Sequence, residues 1–314
     1  VRLRAALPAL VAMGALGSVH FVEKLAIAEG APPGAFALGQ TGSALAILAP
    51  VWLWRARHER LTLFHSGRLR SLALIGVLAS GLVVLLSIVA LTHTTATHKG
   101  AIQAAYPLGT MLFAWVLLRE RITLLGYASG AVIVTGVVLL TSRGLSGTPN
   151  LGDWLLIGTI PIMGFSDAFA KKVLADVPPI TVSVGRYLFG AVFLSVVLLV
   201  VDLGSPRDLL PIWPLVLAAG ALTAIAMGLF YLSIDRIGPS LAAGLLAGAP
   251  VVTVTLEWTA LGERFSALQL VGVALVIAGV VELARQRRVR TDAPERHATR
   301  SAAAAPAAAG TVRR

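Results

Sequence analysis

The chain has no cysteine among its 314 residues, and only 13% of them are charged. The first absence excludes a disulfide framework, a thiolate metal site and a cysteine nucleophile. The second excludes an ordinary soluble domain, in which about a quarter of residues carry charge. Half that density cannot coat a water-facing surface of a chain this long. With 57% hydrophobic residues and a mean hydropathy of +0.84, the main solvent must be the bilayer. Enzyme signatures are missing as well. The sequence holds no P-loop, no His-Glu-x-x-His pattern and no Gly-x-Ser-x-Gly elbow, so neither an enzyme nor ATP-driven transport by this chain is expected. No cofactor or metal is implied: His93 and His98, set among Thr92, Thr94, Thr95 and Thr97, read as a polar loop.

Charge is unevenly placed. Of the net +11, +6 lies from Arg285 onward, where eight arginines face Asp292 and Glu295. That stretch is Ala/Pro-rich and lacks apolar periodicity, so residues 285–314 are expected to form a disordered basic tail. Arg285, Arg287, Arg288 and Arg290 follow a hydrophobic span directly and suit anionic headgroups; nucleic acid is not the expected partner. Upstream, ten apolar segments approach the roughly 20 residues needed to cross hydrocarbon: 5–28, 33–54, 71–91, 97–118, 122–141, 153–175, 179–201, 211–233, 239–261 and 266–284. Turn signals separate them, among them Pro32-Pro33, Arg143-Gly144, Pro178-Pro179 and Gly238-Pro239. Strict alternation is missing, which argues against a barrel. Small residues recur four apart at Gly126/Gly130 and Gly244/Gly248, a spacing that lets helix backbones approach. The opening residues could pass for a signal peptide, but the apolar pattern continues through Phe21, Val22, Leu25 and Ile27. An uncleaved first helix is the expectation.

Lysine and arginine set the orientation. With the N-terminus inside, one face receives Arg2, Arg4, Arg55, Arg57, Arg60, Arg68, Arg70, Arg119, Arg121, Lys171, Lys172, Arg236 and the tail. The other receives Lys99, Arg143, Arg207 and Arg264, with Lys24 nearby. A multi-pass protein of the cell (inner) membrane with both termini cytoplasmic follows.

The two halves share a pattern. Pro107, Trp115 and Glu120-Arg121 recur in register as Pro250, Trp258 and Glu263-Arg264, and Gly136 and Gly279 follow at the same interval. Ser18, Phe21 and Lys24 correspond to Ser166, Phe169 and Lys172; Pro33 and Gln40 correspond to Pro179 and Arg186. A duplicated five-helix unit is expected, residues 1–143 and 144–284, and an odd number of crossings inverts the second copy. The fold class is thus an all-α integral membrane protein of ten transmembrane helices in two inverted repeats.

The stretches Ala104-Ala-Tyr-Pro107 to Leu118-Arg-Glu-Arg121 and Leu246-Ala-Gly-Ala-Pro250 to Leu261-Gly-Glu-Arg264 resemble the repeat signature of EamA-type transporters in the drug/metabolite transporter superfamily. The resemblance implies a central cavity lined mainly by helices 1–4 and 6–9. It also implies export or exchange of small metabolites, often amino acids or amphipathic compounds. One departure stands out: the first repeat has Gln40 where the family usually places arginine, and Arg186 keeps it in the second.

Ionisable groups inside a membrane are costly and by default functional. Glu257, seven residues past Pro250, is the clearest candidate for proton exchange or for pairing with a solute ammonium, its alternatives being a buried partner for a basic side chain or a group near the outer interface. As a coupling group it predicts that Glu257→Gln abolishes pH-driven transport and spares counterflow. Asp167 is a further candidate for coupling protons or binding solute; it also precedes Lys171 by one turn on the same face, an order that favours an ion pair in which the two neutralise each other. His20 is a candidate because the histidine side chain is in general the one that titrates near neutral pH, while Glu23 and Lys24 lie where interfacial anchoring is at least as good a reading. His98, Lys99 and Gln103 at the start of helix 4 could attract a carboxylate or form a hydrated loop end. Arg186 is either an anchor or a cavity group. Tyr106, Trp115 and Trp258 stack on a solute or join an interfacial belt. Pro107 and Pro250 remove a hydrogen bond within helices 4 and 9 and mark hinges. Glu120 and Glu263 are expected to close corners structurally. A secondary transporter for a small-molecule solute, with protons as candidate coupling ions, is the leading expectation. The rival is a non-transporting scaffold or regulator acting through the basic tail.

Overall fold

The computed structural model describes residues 3–59, 66–94, 99, 102–103, 105–120, 123–140, 150–261 and 266–282. Every regular element among them is helical: α1 (Leu3–Ala28), α2 (Pro33–Glu59), α3 (Ser66–Ile75), a π-helical stretch (Gly76–Leu82), α4 (Val83–Ala90), α5 (Tyr106–Leu118), α6 (Leu124–Leu140), α7 (Leu151–Val173), α8 (Pro179–Val200), a 3-10 turn (Pro206–Ile212), α9 (Trp213–Ile237), α10 (Pro239–Leu246), α11 (Ala249–Leu261) and α12 (Ala267–Glu282). Six helical runs are long and apolar enough to cross a membrane, namely Ala5–Ala28, Pro33–His58, Arg68–Ala90, Pro179–Val200, Pro206–Ile237 and Pro239–Ala260. Large apolar side chains such as Leu124, Leu199 and Val200 are left on the outside, where hydrocarbon rather than water accommodates them.

Local chemistry sets the helix ends. Proline opens α2, α8 and α10, where its missing N–H costs no helical bond and its φ is already helical. Asn150 and Asp153 form a reciprocal capping box at the start of α7, and Thr94 Oγ1 also donates to Asp153 at 2.6 Å. At φ 82°, Gly238 ends α9 in a conformation that suits glycine.

Hydropathy does not foretell two interruptions. The expected helix over 71–91 passes through the π stretch, where the Val83 N–H returns five residues to Leu78 O. Gly76, Ala79, Ser80 and Gly81 are buried there, so the wider turn packs closely on α8. The expected helix over 239–261 breaks between Leu246 and Ala249.

Packing is tightest where glycines let backbones touch. α1 lies along α9, and α2 is held between α8 and α9. A methyl added at Gly220 would fall 3.0 Å from Ala44 N and 3.1 Å from Gln40 O; one at Gly76 would fall 2.7 Å from Arg186 O and 3.2 Å from Gly190 N. Gly136 approaches Gly272 O and Val276, while Gly279 approaches Ser129 O and Ile133. The four-residue spacings pointed elsewhere: Gly130 meets the side chains of Leu108 and Met111, and Gly248 meets Met13. Gly220→Ala is expected to cost about 1–3 kcal/mol through overpacking. Gly228→Ala, on the same helix with only Leu48 Cδ2 at 4.0 Å, should be neutral. Thermal unfolding of the two variants in detergent checks the contrast.

Candidate functional site

A cavity of about 160 Å³ lies where α1, α2, the π stretch, α4, α5, α7, α8, α9, α10 and α11 converge. Most of its wall is apolar. Three polar groupings enter it.

The first is centred on Glu23, one turn beyond His20 on the same face of α1 and only 8% exposed. Gln40 Nε2 donates to Glu23 Oε1 at 3.0 Å and to Thr223 Oγ1 at 2.9 Å. Lys99 Nζ sits 3.3 Å from Glu23 Oε2. Both carboxylate oxygens are therefore engaged, and the charge is matched by a buried ammonium. This grouping neutralises itself.

The second is Arg186, 3% exposed on α8. Its Nε donates to Ser80 Oγ at 2.6 Å, its Nη1 to Tyr231 OH at 3.1 Å and Met227 Sδ at 3.5 Å, and its Nη2 to Ala79 O at 3.4 Å. The π stretch supplies two of these acceptors. The guanidinium carbon also lies 5.8 Å and 5.7 Å from the ring centres of Tyr187 and Tyr231, within cation–π range. All these partners are neutral.

The third is Asp167 on α7, likewise 3% exposed. The close crossing of Gly164 over Gly109 brings Thr110 alongside, and Thr110 Oγ1 donates to Asp167 Oδ2 at 3.2 Å. Asp167 Oδ1 has no hydrogen-bond partner, and the same holds for Gln40 Oε1. Nearby, Gln103 Nε2 donates to Tyr106 OH at 3.0 Å and Ser87 Oγ at 3.1 Å, while Tyr106 OH and Thr159 Oγ1 share a bond of 2.8 Å.

Of the residues singled out from sequence, His20, Gln40, Lys99, Gln103, Tyr106, Pro107, Asp167, Arg186 and Pro250 meet at this cavity. Others do not. Glu257 faces Lys24 at 3.0 Å in a half-buried pair, with side chains 15% and 34% exposed, and Trp258 is exposed. Glu120 accepts from Ser240 Oγ at 2.8 Å, tying the end of α5 to the start of α10. His98 and Glu263 lie outside the described residues. Asp167 and Lys171 form no ion pair, because Lys171 turns outward to the end of α9, donating to Asp235 O at 2.6 Å with Asp235 Oδ1 at 3.6 Å. Pro107 and Pro250 stand in the first turns of α5 and α11, where no helical bond is lost, rather than in helix interiors. Sequence reasoning passed over Ser80, Thr110, Thr223, Tyr187 and Tyr231, neutral polar residues that hydropathy does not flag. The signal available for Glu23 was its three-residue spacing from His20.

Residues of opposite charge buried inside apolar helices define a multi-pass membrane protein with an internal polar chamber. The profile of the EamA-like transporter family matches residues 3–142 and 150–284, and the chain belongs to that family. An uncharacterized transporter, YetK, of Bacillus subtilis (strain 168) is 27% identical over 198 residues, which cover 60% of this chain and 59% of the relative. A probable terminal-alkyne amino-acid exporter of Streptantibioticus cattleyicolor is 26% identical over 208 residues, covering 65% of this chain and 70% of that protein. A protein of known crystal structure, 20% identical, shares the fold with a TM-score of 0.71 over 91% of this chain and 99% of its own.

Proposed function

We propose that this protein is a secondary transporter that exports or exchanges small amine-bearing metabolites, amino acids among them, across the cell membrane by alternating access. The carrying observation is the cavity's electrostatics. It holds a carboxylate oxygen with no donor, on Asp167, and a guanidinium with only neutral partners, on Arg186. Their charges face each other without direct contact, burial of a charge with no hydrogen-bonded ion partner is unfavourable, and a zwitterion between them satisfies both at once: its ammonium donates to Asp167 Oδ1 and its carboxylate accepts from Arg186. Gln40 Oε1, also unpartnered, offers the ammonium a second acceptor. The volume, about 160 Å³, is close to that of a cavity that admits benzene, roughly 150 Å³, and suits a solute of that size. The exporter among the relatives, with an amino acid in its name, fits this class.

Two inverted five-helix halves, residues 1–143 and 144–284, would provide the moving parts. Paired crossings support that reading. Gly76 rests on Arg186 and Gly190 as Gly220 rests on Gln40 and Ala44, and the Gly136 and Gly279 contacts exchange partners in the same way. Arg186 and Gln40 then occupy equivalent places with different chemistry, giving the solute one orientation. The bias of lysine and arginine supports cytoplasmic termini. A proton and the solute's ammonium would compete for Asp167, which takes the coupling role from Glu257, already engaged by Lys24. Glu257→Gln is accordingly expected to leave counterflow and pH-driven uptake within about twofold of wild type, since the Lys24 pair lies off the cavity lining and the variant keeps the shape of the side chain.

Thermal unfolding of the purified protein tests the binding step. A member of an amino-acid and amine panel at about 100 times its Kd should stabilise the folded protein by about 2.7 kcal/mol. Folded protein that no panel member stabilises would overturn the amine reading.

A further inference from the structure

Polar groups are not spread evenly around the cavity. The approach to α5 contributes Lys99, Gln103 and Tyr106, whereas α10 and α11 contribute only apolar residues: Ala243, Leu246, Ala247, Ala249 and Pro250. This wall is the site of the helix break. Ala247 N–H still returns to Ala243 O and Gly248 N–H to Leu245 O, after which the chain restarts as α11 at Ala249. Gly248 faces the other way, where a methyl would strike Met13 Sδ on α1, so the residues on either side of it turn methyl groups to the chamber. Three alanines make the wall shallow, and Leu246 is its largest side chain. Nothing on it can hydrogen-bond a charged headgroup through a side chain.

We infer that this wall receives the apolar arm of the solute, and that Leu246 and Ala247 set the length of arm the carrier accepts. The assignment rests on the proposed binding of an ammonium at Asp167 and names what that solute carries at its other end: a compact hydrocarbon arm. Each methylene that finds room on the wall should improve binding by about fourfold, and one that meets a filled wall should gain nothing.

The test is competition by alanine, 2-aminobutyrate, norvaline and norleucine against counterflow of a labelled amino acid in proteoliposomes. In Leu246→Ala, the potency of norleucine relative to alanine should rise about fourfold or more. In Ala247→Val it should fall by a similar factor. Opposite shifts from adjacent residues cannot come from a general loss of fold, which lowers every member together; size-exclusion profiles of both variants check folding directly. A wild type that exchanges these solutes, with profiles unshifted or shifted equally for all four in both variants, overturns the wall assignment alone. A folded wild type that exchanges none of them overturns the amine reading, and the wall assignment with it.

Discussion

Asp167→Asn should reduce counterflow of an amine-bearing solute by about 10- to 100-fold while the protein still folds. A hydrogen bond to a charged group contributes about 1.5–3 kcal/mol, and the variant replaces a charged acceptor for the ammonium with a neutral amide. Folding should survive because two effects oppose each other. Neutralising a carboxylate with a single donor, Thr110, relieves its desolvation, while Arg186 loses a nearby opposite charge with which it makes no direct contact. A net change within about 1 kcal/mol is expected for groups of this kind. Transport lost together with the fold would assign Asp167 a structural role. Transport retained within twofold would remove it from the solute's path.

The largest effect on stability is expected at Lys99. Lys99→Met leaves Glu23 buried with Gln40 as its remaining donor among the described residues, and an ion pair broken from one side typically costs about 3–5 kcal/mol. The double variant Glu23→Gln/Lys99→Met removes both charges and should recover most of that loss, because an uncharged pair of similar shape is close to neutral. Thermal or denaturant unfolding of both single variants and the double variant gives the coupling energy. Additive losses would mean that the 3.3 Å approach contributes little.

The contrast between Glu23 and Glu257 shows where sequence reasoning reaches its limit. Glu257 drew attention because it interrupts an apolar run seven residues past Pro250, yet hydropathy says nothing about which way a helix face points, and Lys24 lies across from it. Glu23, near a helix end, looked like an anchor; its partner Lys99 is 76 residues away. By contrast, Gln40 and Arg186 could both be singled out from the sequence, as polar residues in apolar segments, and both line the chamber. Membrane character and family were legible as well, since composition and in-phase motifs survive without coordinates. The π stretch and the break after Leu246 were not. They depend on backbone contacts of small residues with α8 and α1, and small apolar residues read alike in a regular helix and in an irregular one. Asp167 was visible as an intramembrane charge. Its free oxygen was not, since the sequence favoured Lys171 as its partner and packing turned that lysine toward Asp235.

Counterflow in proteoliposomes preloaded with unlabelled amino acid, run with and without an imposed pH gradient, tests the central claim most directly. Wild-type protein should produce a transient overshoot of labelled solute that saturates with concentration, and Asp167→Asn should abolish it while Glu257→Gln leaves it intact. A response of net uptake to the gradient, lost in Asp167→Asn, would place proton exchange at the same carboxylate. No overshoot from verified, folded wild type across the whole panel, or an overshoot unchanged by Asp167→Asn, would contradict the account.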